Sequence, residues 1–426
     1  MAVPDAARVA VCDWVAGAVV AGPGDASSGA VLHLAIVRAA LVGRLRRHWL
    51  LLVYLGSVVL VTFQFGGRAA ANNIKIFRWS FFHLVRAQDI YQAYPDLYYD
   101  VFKYSPTWAL LFGPFALPAP AVGFLLWDLC AALLFYYAIE RLLPGPLARL
   151  ALGIAFFEFL TAMQHASSTN AVVAGLIILA FVALEEERHG LAAASIALGT
   201  LMKLYPLAAL TFGLFHRRKV RFGLLFTAAL AILIALPLVV TSPGALAAQW
   251  RSWGRVLGED TLTRAWSVMG LLYQWFRLDW PNWPVQLAGA GLLLFPVALR
   301  RDRWPDPHFR RLFLCSLLLY CLLFNHQAER PSVVVGFAGI AIWYAMSRRT
   351  PLRTALMALA FIAGPVVQSD LVPSHVRLDI LAPLRPITIA CLVVWVAIQT
   401  ELLASRPNDR ADAALAKPAP PLDAAA

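Results

Sequence analysis

Three carboxylates and a lysine lie close together in a chain that carries few charges elsewhere. Asp89, Asp96 and Asp100 follow one another in "QDIYQAYPDLYYDVFK", residues 88–103, which ends at Lys103 and is called the acidic stretch. A carboxylate can act as a general base by accepting the proton of an attacking hydroxyl. Three acids beside a lysine are more than membrane anchoring requires, which favours a segment whose polar face closes over a lipid-linked substrate. An anchoring role remains the alternative.

A second polar segment, "MQHASSTN", separates two apolar runs and is called the tip stretch. It contains Gln164, His165 and Asn170. Amide side chains donate and accept hydrogen bonds at the same time, which suits the binding of sugar hydroxyls. The alternative is that these residues only cap the ends of two helices.

The segment "FNHQAERPS", residues 324–332, also lies between two apolar runs and is called the boundary stretch. It contains Asn325, His326, Glu329 and Arg330. An ionisable group at membrane depth costs about 2.5–3.5 kcal/mol, so such groups are candidates for a functional site. An ordinary solvated loop is the alternative.

Lys203 is a lone ammonium in the apolar run "LGTLMKLYPLAAL", three residues before a proline. Both flanks, "EEERHG" and "HRRKVR", have the character of cytoplasmic loops. A broken, re-entrant helix pair with Lys203 near its apex satisfies that pattern. An ammonium in such a place suits an anion such as phosphate.

The composition indicates a polytopic membrane protein. Of the 426 residues, 60% are hydrophobic and 14% are charged, and the mean hydropathy is +0.68. Soluble domains contain about 45–50% apolar residues. The formal charge of +12 sits in short basic clusters between apolar runs, as in cytoplasmic loops. We therefore expect membrane lipids as partners and no nucleic acid.

The hydropathy pattern predicts an all-α fold with about ten transmembrane helices, the broken pair and an amphipathic helix on the outer surface, within 72–91. The positive-inside rule places both termini in the cytoplasm. We expect a cytoplasmic N-terminal segment over 1–47, a transmembrane domain over 48–404 and a disordered tail over 405–426. The predicted spans are 50–65, 119–139, 148–163, 169–184, 222–241, 283–299, 311–325, 331–346, 354–368 and 386–403.

This topology places the polar clusters on one side of the membrane. The acidic, tip and boundary stretches all fall outside, together with the segment from Ser242 to Ser267. The inner loops are mostly basic. A one-sided polar surface favours an outward-facing site over a channel, which distributes polar residues through its depth.

Several of these segments, in this order, resemble glycosyltransferase family 87, a family of the GT-C class of polytopic membrane enzymes. The resemblance covers about Leu50 to Leu403 and rests on the motifs "QDIYQAYP", "YSPTWALLFGPFALP", "LLWDLCAALLFYYAIERL", "QHASSTNAVVAGLIIL", "LMKLYPLAAL", "AWSVMGLL" and "FNHQAERPSVVV". It implies a GT-C-like fold and an inverting hexosyltransferase of the bacterial cytoplasmic membrane. It also implies a polyprenyl-phosphate mannose-like donor and an envelope lipid or glycan acceptor.

The resemblance also implies site residues. The family's expected general base, an aspartate some eighteen residues before the tyrosine of the "IY" pair, corresponds to Asn73 here. An amide cannot take up a proton near neutral pH, so Asp89 is the first substitute, followed by Asp96 and Asp100. The substrate-binding candidates are the polar residues of the outer segments and the helix break: Lys203, Gln164, His165, Asn170, Ser267, Asn325, His326, Glu329 and Arg330.

Among these, Lys203, His326 and Arg330 are expected to stabilise the phosphate leaving group. No cofactor is expected beyond the donor itself, and a divalent metal is not required. Two other classes stay open. A lipid or solute transporter requires internal repeats, and none is visible in the sequence. A non-catalytic membrane protein is favoured by Asn73 alone.

The topology gives a first testable prediction. In an otherwise cysteine-free chain, Gln327→Cys should react with a membrane-impermeant thiol reagent in intact cells, because position 327 is predicted outside. Arg349→Cys and Arg218→Cys should react only after permeabilisation, and Ser167→Cys should behave like position 327. Labelling at 349 without labelling at 327 would reverse the predicted topology.

Overall fold

The structure is a computed structural model, and it describes residues 48–64, 72–165, 168–259 and 266–404. The chain divides into two compact units, Met1–Leu52 and Val53–Ala426. The functional candidates all belong to the second unit. The predicted segments 1–47 and 405–426, and position 167, fall outside the described residues.

Every regular element in the described part of the chain is helical, in agreement with the predicted all-α class. The helices are α1 His48–Gln64, α2 Asn72–Val85, α3 Pro106–Leu111, α4 Gly113–Ala116, α5 Pro120–Leu142, α6 Gly145–Gln164, α7 Thr169–Glu185, α8 His189–Met202, α9 Lys219–Ala235, α10 Pro243–Glu259, α11 Val268–Phe276, α12 Asn282–Leu299, α13 Pro307–Leu323, α14 Val333–Met346, α15 Pro351–Phe361, α16 Ala382–Leu384 and α17 Pro386–Ala404. A 3₁₀ segment covers Tyr205–Phe215, and π-helical turns cover Ile362–Val366 and Val376–Leu381.

The chain is a membrane protein. Among the described residues, five helical stretches are long and apolar enough to cross a bilayer: Pro120–Leu142, Gly145–Gln164, Lys219–Val239, Asn282–Leu299 and Val376–Ala404. Each of the other predicted spans also coincides with a helix, but those helices are shorter. About ten crossings therefore stays a prediction.

Two helices, α7 and α14, are buried along nearly their whole length. Helix α7 packs against α5 and α8, and α14 packs against α13 and α6. The α13–α14 contact is close because position 339 is a glycine. A Cβ atom there would lie 2.7 Å from the carbonyl oxygen of Cys315. Small residues permit such close approach of helix backbones inside a membrane.

The segment predicted as an amphipathic helix contains α2. Its buried residues include Ile76, Phe77, Ser80 and Leu84, which recur at the spacing of one helix face. The opposite face includes the exposed Lys75. Its location on the outer membrane surface stays a prediction.

Helix α10 holds the acidic stretch in place. The Gln249 side chain donates to the carbonyl oxygen of Gln88 at 2.7 Å and accepts from the Ile90 amide at 3.2 Å. The Trp253 indole donates to the Lys103 carbonyl oxygen at 3.0 Å. Both ends of the acidic stretch are therefore tied to one helix.

The predicted helix break is present at Lys203. Helix α8 ends at Met202, Lys203 has extended backbone angles (φ −149°, ψ 140°), and the 3₁₀ segment begins at Tyr205. Pro206 lacks an amide hydrogen and cannot continue an α-helix from the residues before it. The rings of His189 and His216, at the far ends of the two halves, are 6.3 Å apart. The chain therefore doubles back on itself at Lys203.

A buried ion pair joins the boundary stretch to α6. Arg330 contacts both carboxylate oxygens of Glu158, with Nη2 at 3.0 Å from Oε1 and Nη1 in closer contact with Oε2. The Glu158 side chain is fully buried and that of Arg330 is 11% exposed. The Arg330 guanidinium also lies 5.9 Å from the ring centre of Trp266. This pair fixes the position of the residues just before Arg330.

Glu158→Gln should strongly destabilise the protein, because it leaves the Arg330 charge buried and uncompensated. Breaking such a pair costs about 3–5 kcal/mol of the free energy of unfolding. Glu186→Gln is the matched control, because Glu186 pairs with Arg141 where both side chains are partly exposed, and such pairs contribute about 0–1 kcal/mol. Thermal unfolding in one detergent compares them. Equal shifts in Tm would contradict a structural role for the buried pair.

Candidate functional site

A cavity of about 580 Å³ lies where several interrupted elements meet. Lining residues come from α2, the acidic stretch, the break around Lys203, α10, α12, the end of α13 and the boundary stretch. One part of the wall is apolar and consists of Met202, Leu204, Leu207, Ala208 and Phe324. The rest carries charged and polar groups. A cavity of this size with few convergent polar groups is typical of ligand sites.

Six of the thirteen residues predicted from the sequence line this cavity. They come from four separate parts of the chain: Asn73, Asp100, Lys203, Asn325, His326 and Glu329. Two of the candidate acids are absent from the lining. Asp96 is exposed elsewhere, and Asp89 is engaged in local structure.

Asp89 connects the acidic stretch to α10. Its Oδ1 accepts from the Tyr91 amide at 3.0 Å, and its Oδ2 accepts from the Ser252 hydroxyl at 3.1 Å. Burial, and then the nearby Asp89 charge, raises the pKa of Tyr91 well above its usual value of 10.0. Tyr91 therefore stays neutral and donates from its hydroxyl to the Tyr104 carbonyl oxygen at 2.7 Å. Asp89 stabilises the start of a loop whose later residues, from Asp100 to Lys103, include part of the cavity lining.

Asp100 is the carboxylate of the acidic stretch that lines the cavity. Its backbone has a left-handed conformation, with φ of 73°, which is uncommon for a residue other than glycine. The Oδ1 atom accepts from the Val101 amide at 2.8 Å and lies 3.9 Å from Lys103 Nζ. Its side chain is 52% exposed, so it is accessible from the cavity.

Lys203 lines the cavity from the helix break. Its amide donates to the Gly199 carbonyl oxygen at 2.8 Å, which anchors the backbone to α8. Its Nζ lies 5.8 Å from the centre of the Tyr104 ring. The ammonium is therefore held against an aromatic face.

Three of the predicted site residues line the cavity from a tight turn in the boundary stretch. Asn325 accepts from the Gln327 amide at 3.1 Å through its side-chain oxygen. His326 Nδ1 lies 3.2 Å from Nε2 of Gln286, which also donates to the Phe324 carbonyl oxygen at 3.2 Å. Glu329 caps the short turn that follows, together with Ser332. Its side chain is exposed.

The remaining candidates lie outside the cavity lining. Gln164 ends α6, and the His165 carbonyl oxygen accepts from the Asn73 side chain at 3.3 Å. Asn170 is buried in the first turn of α7. Ser267 accepts from the Gly270 amide at 3.2 Å and caps α11. Arg330 is occupied by Glu158.

The lining residues that were not among the candidates include Tyr104, Trp253 and Gln286. Gln286 had a recognisable signal, because it is a polar residue in an otherwise apolar predicted span. The two aromatic residues had none, because aromatic residues are common throughout this chain. The described residues contain no cluster of three His, Cys, Asp or Glu side chains able to hold a metal ion. That the reaction needs no metal stays a prediction.

Comparison with known proteins assigns the family. The model of glycosyltransferase family 87 matches residues 102–325, which is more than half of the chain. The match includes Lys103, Lys203 and Asn325, and it begins after Asn73 and the three acids. No curated protein matches the chain. This membrane protein therefore belongs to glycosyltransferase family 87 and is a glycosyltransferase.

Proposed function

We propose that this enzyme transfers a mannose-like hexose, with inversion, from a polyprenyl-phosphate donor to an envelope lipid or glycan. The proposed location is the outer face of the bacterial cytoplasmic membrane, in the manner of a GT-C enzyme. One observation carries the proposal. A single cavity contains an accessible carboxylate, Asp100, and an ammonium, Lys203, beside an apolar wall.

The proposed general base is Asp100. It accepts the proton of an acceptor hydroxyl, and the hydroxyl oxygen attacks the anomeric carbon of the donor sugar. The bond from that carbon to the phosphate oxygen breaks, and the phosphate keeps the electron pair. Asp100 replaces Asp89 as the first candidate, because both Asp89 oxygens are engaged with Tyr91 and Ser252 outside the cavity lining.

The proposed cationic stabilisation of the leaving phosphate comes from Lys203. His326 is proposed to form a hydrogen bond with the same phosphate. A phosphate monoester anion leaves more easily when fixed positive charge faces it. Arg330 is not proposed for this role, because its charge is balanced by Glu158. The apolar wall from Met202 to Ala208 suits the first isoprenoid units of the donor.

A non-catalytic role is the second candidate, and one observation favours it. Asn73 lines the cavity at the position where the family resemblance implies a catalytic aspartate. Because Asn73 is an amide, Glu329 is the other carboxylate among the described lining residues if Asp100 does not act as the base. The two candidates therefore differ in what happens when Asp100 is neutralised.

Asp100→Asn should reduce sugar transfer about 10²- to 10⁴-fold, because loss of a general base has an effect of that size. Donor binding should stay within about twofold, because the amide has nearly the same shape as the acid. The assay measures transfer of radiolabelled sugar from polyprenyl-phosphate mannose to a lipid extract by the purified protein. Asp96→Asn is the matched control from the same stretch, and its activity should be unchanged.

Full activity of Asp100→Asn would remove Asp100 from the mechanism. A loss confined to Asp89→Asn would return the base to Asp89. Absence of transfer by the unchanged protein, together with a gain in Asn73→Asp, would support the non-catalytic candidate.

A further inference from the structure

We propose that Tyr104 is a positioning residue that holds the Lys203 ammonium by a cation–π contact and thereby sets the preference of the cavity for an anionic head group. The proposal rests on the proposed function, because it concerns the same anion site. In this role Tyr104 keeps the positive charge of Lys203 available to a ligand.

The Lys203 ammonium faces an aromatic ring rather than a carboxylate. Among the described residues it takes part in no ion pair, and its Nζ lies 5.8 Å from the centre of the Tyr104 ring. An ammonium within about 6 Å of an aromatic face is attracted by the electron-rich ring. The ring carries no formal charge, so it restrains the ammonium without cancelling its charge.

Lys103 provides the contrast within the same cavity. Its Nζ lies 3.9 Å from Asp100 Oδ1, so its charge is balanced by a carboxylate. A lysine paired in this way gains little from an incoming phosphate, because the two anions compete for one cation. Lys203 is therefore the lining ammonium best suited to an anionic ligand.

The Tyr104 ring is itself fixed on several sides. The Phe77 ring packs edge-on against it at 5.0 Å between centres and an angle of 89°. The Tyr104 hydroxyl lies 3.4 Å from the Thr169 hydroxyl, and the Tyr104 carbonyl oxygen accepts from Tyr91 at 2.7 Å. A ring held in this way presents one face steadily toward Lys203.

The three hydrogens of an ammonium point in different directions. Lys203 and Tyr104 both line the cavity, and one direction from the ammonium is taken by the ring at 5.8 Å. A lysine side chain that is already ordered before the ligand arrives loses less conformational entropy on binding. The contact should therefore improve binding of the phosphate and leave binding of the lipid chain unchanged.

The test measures direct binding to the purified full-length protein in detergent, so it does not depend on turnover. Two probes are compared, a polyprenyl monophosphate and the uncharged polyprenol of the same chain length. Tyr104 is replaced by phenylalanine and then by phenylalanines with one, two and three ring fluorines. Fluorination weakens the electron-rich face while it keeps the shape of the ring, so the fold is preserved.

We expect Tyr104→Phe to bind both probes within about twofold of the original protein. Increasing fluorination should raise the Kd for the monophosphate stepwise, by about 2- to 30-fold in total, the range of cation–π contacts. The Kd for the polyprenol should not change. The same series at Phe102, a fully buried neighbour outside the cavity lining, is the matched control and should show no trend.

Lys203→Met separates failure of the proposal from failure of the proposed function. It should weaken monophosphate binding and make fluorination at Tyr104 ineffective. If Lys203→Met leaves monophosphate binding unchanged, the anion site itself is wrong and both proposals fail. If Lys203→Met weakens binding but the fluorinated series is flat, or shifts both probes equally, only the role of Tyr104 is overturned.

Discussion

A buried pair of opposite charges, Glu158 and Arg330, joins two parts of the fold that lie far apart in the chain. The two residues are 172 positions apart in the chain, and neither charge is tolerated alone in a membrane interior. Their contact joins α6 to the turn that precedes α14, and α14 packs against both α6 and α13. Because Arg330 lies within the boundary stretch, the pair also restrains Asn325 and His326 relative to α6.

The site is built where helices stop. Asn73 lies in the first turn of α2, Asp100 lies in a loop, Lys203 lies at a helix break, and Asn325 follows α13. Irregular backbone at membrane depth is tolerated only where it lines a cavity or is buried in protein. The helix interruptions and the cavity therefore depend on each other. Such interruptions bring polar side chains from separate parts of the chain into one cavity.

The sequence predicted some of this well. The helices coincide with the predicted spans because long apolar runs leave a helix as the favoured conformation in lipid. The break at Lys203 was visible because a single charge and Pro206 interrupt one such run. The choice between Asp89 and Asp100 was not visible, because both lie in one loop and have the same chemistry.

Those two acids differ in partners that the local pattern does not contain. Asp89 meets Ser252, 163 positions away, and Asp100 faces the cavity. The sequence also did not predict that Arg330 pairs with Glu158, because Glu158 lies inside an ordinary apolar run. Pairing across such distances follows from the packing of helices, which composition and periodicity do not determine.

The 3₁₀ segment after Lys203 also determines a depth. A 3₁₀ helix rises about 2.0 Å per residue and an α-helix about 1.5 Å. The 11 residues of Tyr205–Phe215 and the 14 residues of α8 thus give two legs of nearly equal length, about 21–22 Å. The hydrocarbon core is about 30 Å thick. In the predicted topology the hairpin starts at the inner boundary, so its apex at Lys203 lies short of the outer boundary. On the proposed function, the phosphate of a lipid-linked donor that binds this ammonium lies deeper than the neighbouring head groups, so donor binding includes a partial withdrawal of the lipid into the membrane.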